Sequence, residues 1–147
     1  MGTREQRLAA IRKSFPAEAL VAEVPGGDLQ TFQVDRRVLV DLARHLKDDP
    51  DLDFKLLLDV CGVDYPERAE RFESVYHLSS LTHGHRIRLK VPLPGDAPVV
   101  PSVYPVWKSA DWFEREAFDL MGILFSGHPN LKRILCHPAF QGHALRK

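Results

Sequence analysis

Seven histidines, two cysteines and a Glu-Arg-Glu run are the residues of this chain that could do chemistry. Thr82-His83-Gly84-His85 has an HxH spacing, which puts two imidazoles on one side of an extended strand. A catalytic zinc site needs about three protein ligands, and no third lies nearby in sequence. HExxH is absent. A metal-assisted hydrolase would have to draw on His77, His83 or His85; ordinary turn histidines account for the pattern better. Cys61 and Cys136 form no CxxC, and an iron–sulfur cluster or a closed cysteine zinc site calls for four thiolates. Cys136-His137 are adjacent, which does not make a dyad, and nothing nearby would lower the thiol pKa. Glu114 and Glu116 are two apart, so on a helix they point to different sides and cannot flank one bond as acid and base. GxGxxG, GxxxxGK[ST] and GxSxG are all missing.

The elements that must carry these residues follow from periodicity. Leu8, Ile11 and Phe15 predict a short amphipathic helix over 3–15, ended by Pro16. Residues 19–24 and 29–34 flank Pro25-Gly26-Gly27-Asp28 and read as a hairpin. Asp35 is placed to cap a second helix that turns Val38, Leu39, Leu42, Ala43 and Leu46 to the core. Residues 54–63 form a near-continuous apolar run, expected as a buried strand. Residues 71–80 and 85–93 alternate; pairing Tyr76 with Leu89 and Leu78 with Ile87 leaves the loop Leu81–Gly84 and buries both apolar faces together. Residues 96–105 read as a proline-rich connector. Hairpins plus helices imply an α+β fold of one sheet and one helical layer.

The last helix is apolar on too many sides. Asp111 is expected as its N-cap, with Glu114 three residues on, and Gly122 closes it. Phe113, Ala117, Leu120 and Met121 share a core-facing side. Trp112 falls among Arg115, Glu116 and Asp119, and Phe118 points elsewhere. Arg115 and Asp119, four apart, can pair on the surface. The two stray aromatics either pack under the chain's own loops or meet a partner, since interface cores favour large aromatics beside arginine. Ser126-Gly127-His128-Pro129-Asn130 reads as a tight turn, with His128 orienting it.

Composition sets the bounds. The chain has 147 residues, 44% hydrophobic and 27% charged, which suits one ordered domain. No apolar run approaches the roughly 18 residues of a membrane span, and the start lacks the apolar stretch of a secretory signal. Two cysteines fit a reduced, intracellular setting. Formal net charge is zero, with 20 acids against 20 Lys and Arg. All the acids precede residue 126. The segment 126–147, with Lys132, Arg133, Arg146 and Lys147, is therefore +4 against a body of −4. This divides the chain into a core over 1–125 and a basic docking tail over 126–147. Nucleic-acid binding would want a basic stripe with stacking aromatics, and the tail offers only Phe140.

Residues 107–135, WKSADWFEREAFDLMGILFSGHPNLKRIL, resemble the signature of the NADH-quinone oxidoreductase C subunit, the hydrophilic 30 kDa subunit family of respiratory complex I. The matching residues are Glu114-Arg115-Glu116, Phe118, Asp119, Gly122, Gly127-His128-Pro129 and Arg133-Ile134-Leu135. Residues 59–81 look like the family's strand region, and the likeness covers roughly residues 30–147. The resemblance implies a two-layer α+β domain, with a mixed, mainly antiparallel sheet of about five strands against helices and an extended C-terminal tail. It implies a non-catalytic scaffold subunit of the peripheral arm, on the cytoplasmic side of the cell membrane, within a translocase that passes electrons from NADH to quinone. The subunit would hold no cofactor and no metal, and would bind no nucleic acid. Its main partner in complex I would be the D subunit, beside the B and I subunits. Trp112, Glu114, Arg115, Glu116, Phe118, Asp119, His128 and Arg133 would lie at or beside the contact with the D subunit. Related subunits occur in membrane-bound hydrogenases and other complex I relatives, so the electron donor is open. Self-association of the isolated chain is a further expectation. After Leu135 the family's acidic residues are missing, and Ala144 stands where the family has proline.

Overall fold

The computed structural model describes residues 3–129 and Arg146. Helix α1 (Arg4–Arg12) starts at a reciprocal cap. Gln6 N–H donates to Thr3 Oγ1 at 3.0 Å, and Thr3 N–H donates to Gln6 Oε1 at 3.2 Å. The hairpin follows as β1 (Val21–Val24) and β2 (Gln30–Val34). Asp35 accepts from Arg37 N–H and opens a 3-10 turn (Arg36–Val38) that runs into α2 (Leu39–Asp48). Leu39, Leu42, Ala43 and Leu46 of α2 are fully buried, on the stripe that their spacing requires.

Strands β3 (Leu56–Asp64), β4 (Phe72–Ser80) and β5 (His85–Leu93) complete a five-stranded sheet of order β1-β2-β5-β4-β3. Within it only the β2/β5 pair is parallel, so the sheet is mixed and mainly antiparallel. The β4/β5 register pairs Tyr76 with Leu89 and Leu78 with Ile87, around the expected loop 81–84. Pro92 lies inside β5, opposite Glu73 of β4 and beyond the span paired with β2. On the inner face Phe32, Leu89, Tyr76 and Val60 form one row across the sheet and join the helices in a single core.

The run 54–63 departs from the expectation of a buried strand. β3 is the sheet's edge, and only one of its faces is covered: Leu57 and Val60 are buried, whereas Leu56 and Leu58 are 40% and 36% exposed. The register passes from Leu57↔Leu78 to Asp59↔His77, so Leu58 is an extra, unpaired residue. Such a bulge breaks the alternation and turns its residue outward.

The segment read as a connector holds a strand of its own. β6 (Val99–Pro101) pairs in parallel with β7 (Leu124–Ser126), which follows helix α3 (Ala110–Met121). Ser102 N–H donates to Ser126 O at 2.8 Å beside this pair. β7 and the turn after it are described as far as Pro129, while Lys132, Arg133 and Cys136 lie outside the described residues.

Candidate functional site: the outer side of the last helix

Helix α3 begins one residue before the expected cap. Ala110 is its first residue, Ser109 precedes it, and Asp111 sits in the first turn. Ser109 does not cap through its side chain; its hydroxyl donates instead to Leu57 O on β3 at 3.2 Å. The helix ends as expected at Gly122, with φ of 74°, a conformation that glycine reaches without Cβ strain. Arg146 Nε–H donates to Met121 O at 2.7 Å at this end, and its guanidinium lies 4.7 Å from the Phe72 ring centroid. A cation there meets the negative end of the helix dipole. Neither spacing nor composition pointed to this role for Arg146.

The Glu-Arg-Glu run divides between inside and outside. Glu114 is fully buried. One carboxylate oxygen accepts from Ser102 Oγ and the other from Val103 N–H at 2.9 Å, and Ser102 Oγ in turn accepts from Tyr104 N–H at 3.1 Å. Burial pushes its carboxyl up to about 7, while these two hydrogen bonds pull the other way. Glu114 thus anchors the loop 102–107, and Trp107 in that loop donates through Nε1 to Phe54 O at 3.0 Å. Its capping-box role is corrected: the side chain points inward because a hydroxyl and a backbone amide wait there.

Asp119 is also fully buried. The His128 side chain is enclosed, with Nε2 3.2 Å from both Asp111 O and Asp111 Oδ1, and its ring lies 6.2 Å from that of Tyr104. Among the expected contact residues, then, Glu114, Asp119 and His128 keep their side chains inside this chain, and the contacts of Glu114 and His128 tie the helix to its neighbouring loops. Arg133 lies outside the described residues. Phe118 is half-buried against the core.

Trp112 is 51% exposed. The Arg115 guanidinium lies 6.0 Å from its ring centroid, at the reach of a cation–π contact. Glu116, one turn on from Trp112, faces β3. Its charge acts on Cys61, whose thiol is pushed up by desolvation, then by Asp59 and Glu116. A thiol shifted in this direction has less of the thiolate, the reactive form of a cysteine. Trp112 and Arg115 thus lie together on α3, and Leu58 and Cys61 are exposed on β3, the strand against which α3 packs.

The histidines among the described residues form no single cluster. His77 lies on the outer sheet face, where Arg88 Nε–H donates to its Nε2 at 2.9 Å and Asp59 Oδ1 lies 2.6 Å from its Nδ1. An arginine only donates, so Nε2 is the acceptor and the proton sits on Nδ1. His83 and His85 stack with ring centroids 5.8 Å apart, and His83 Nε2 meets Pro50 O at 2.8 Å. Burial lowers His85 to about 4. Register places His77 and His85 on opposite sheet faces. Among the described residues no group of three or more His, Cys, Asp or Glu could hold a metal ion.

Fold and surface together define a two-layer α+β domain with an aromatic, charged rim along its last helix. The chain belongs to the family described as the respiratory-chain NADH dehydrogenase 30 kDa subunit, whose model matches residues 32–147. Curated proteins that bear the name of the NADH-quinone oxidoreductase C subunit are similar to it. The one from Coxiella burnetii (strain Dugway 5J108-111) is 43% identical over 100% of this chain and 78% of its own length. The one from Maricaulis maris (strain MCS10) is 51% identical over 84% of this chain and 61% of its own length. Among solved structures, a trypsin-resistant fragment of Nqo5 superposes with a TM-score of 0.70 at 31% identity, covering 86% of this chain and 98% of the fragment. A chain of an archaeal membrane-bound sulfane sulfur reductase complex shares the fold, with a TM-score of 0.73 at 23% identity, 90% of this chain and 75% of that one.

Proposed function

We propose that this chain is a non-catalytic peripheral-arm subunit of NADH-quinone oxidoreductase, seated against the D subunit next to the B and I subunits on the cytoplasmic side of the membrane. Its relatives are subunits of complex I-type assemblies, so it works with other subunits. It supports electron transfer from NADH to quinone, coupled to ion translocation, by holding neighbouring subunits in place. Two cysteines fall short of the four thiolates of an all-cysteine iron–sulfur cluster, in keeping with a reading that leaves the redox groups to the neighbours. Among the described residues no helix is long and apolar enough to cross a membrane, and membrane attachment runs through the complex.

The observation that carries the docking surface is the half-exposed Trp112 beside Arg115, on a helix whose inward side chains are already engaged at home. Aromatic and arginine anchors of this kind dominate interface energetics. The test is a tagged chain recovered from gently solubilised membranes of its native host. Cluster-bearing and quinone-site subunits should copurify, the donor module identifies the complex, and Arg115→Glu should lower the yield while the domain stays folded. Unchanged yield from the variant would remove α3 from the interface, and a lone protein would remove the reading altogether.

A further inference from the structure

A groove of about 420 Å³ opens between the start of β3 and the loop 105–109. Lys47, Lys55 and Lys108 line it, and no acid does. Its floor is apolar: Leu56 is 40% exposed there, over the buried Val106 and Trp107. Two of the lysines are held in place by backbone carbonyls. Lys47 Nζ donates to Val106 O at 2.8 Å, and Lys55 Nζ to Lys47 O at 3.1 Å. An ammonium has three donors, so these bonds fix the charges without using them up. Asp53 lies 3.3 Å from Lys55 Nζ outside the lining and offsets part of that one charge. Lys108 is exposed at the mouth, one residue before the hydroxyl that ties α3 to β3.

The geometry points to a docking groove for an acidic, extended segment of a partner subunit, with an apolar side chain on Leu56 and carboxylates toward the three lysines. The inference deepens the docking role proposed above and rests on it for the identity of the partner. Charge complementarity selects the occupant: this chain's body is net negative, yet the groove collects cations alone around an apolar floor. A second copy docked symmetrically through this face would set basic groove against basic groove. The neighbouring Trp112 places the mouth of the groove beside the proposed interface, so one partner could cover both.

Two measurements separate this inference from the reading on which it rests. With the full chain alone, a dye-labelled peptide of alternating glutamate and leucine is titrated by fluorescence anisotropy. Binding should weaken as salt rises, and Lys108→Glu should weaken it roughly tenfold. Equal binding of the variant, equal binding of the same peptide with lysine for glutamate, or displacement by a DNA oligonucleotide would overturn the acidic-peptide assignment. In the purified complex, a photo-crosslinking residue is placed at position 108 and, separately, at position 112. Crosslinks from 108 should map to an acidic stretch of a partner. Crosslinks from 112 but none from 108, or from 108 to a neutral or basic stretch, would overturn the groove and leave the scaffold reading standing. Silence at both positions would defeat both.

Discussion

Glu114 accepts the backbone N–H of Val103 at 2.9 Å, so a helix residue shapes a loop eleven positions upstream. The loop carries Trp107 and lines the lysine groove, and its geometry depends on a carboxyl that is fully buried.

This contact has a pH signature. The Glu114 carboxyl is raised by burial from an ordinary 4.5 to about 7. Between those values the folded chain holds more protons than the unfolded one, so stability falls as pH rises. The contribution is complete below pH 4.5, declines through the window, and levels off above about pH 7, with a total on the order of 3 kcal/mol. Glu114→Gln keeps an acceptor for Val103 and should flatten this part of the urea-unfolding profile. Glu114→Ala leaves that amide buried without its acceptor and should cost about 1–3 kcal/mol relative to the glutamine variant, at every pH. An unchanged slope in the glutamine variant would remove Glu114 as the titrating group.

Gly62 is a point of close contact between β3 and α3. A Cβ there would stand 2.7 Å from Met121 Cγ and 2.9 Å from Ile123 Cδ1. Gly62→Ala should therefore destabilise by about 1–3 kcal/mol through overpacking, read as a lower urea midpoint. Adding Met121→Ala should recover part of the loss, since the two positions touch and their effects should not add. Strict additivity would rule out this steric cause.

Trp112 separates folding from assembly. Its ring is half exposed, with Arg115 beside it, so Trp112→Ala should alter unfolding stability by less than about 0.5 kcal/mol. The same variant should reduce recovered complex by roughly tenfold or more, as the loss of an interface anchor does. A stability loss matching the assembly loss would instead make Trp112 a core residue.

Much of this fold was legible in the residue order. Alternation in 71–80 and 85–93 determined the β4/β5 register, because a slip of one residue would exchange the buried and exposed faces. The hairpin 21–34, the α2 stripe and the glycine stop of α3 follow from equally local rules. The family, too, was readable from the run 107–135. What tertiary structure alone decided is which side of each pattern meets another element. Leu56 and Leu58 are as apolar as buried residues, yet they lie on the edge strand, where nothing among the described residues covers one face. Glu114 looks like a surface carboxylate because its spacing suits a cap, but Ser102 and the Val103 amide come from another segment. The short strands β6 and β7 carry too few residues to show a period, and each exists because the other lies beside it. Local sequence encodes φ, ψ and amphipathic faces; long-range pairing, burial and the orientation of a charge depend on partners brought together only by the folded chain.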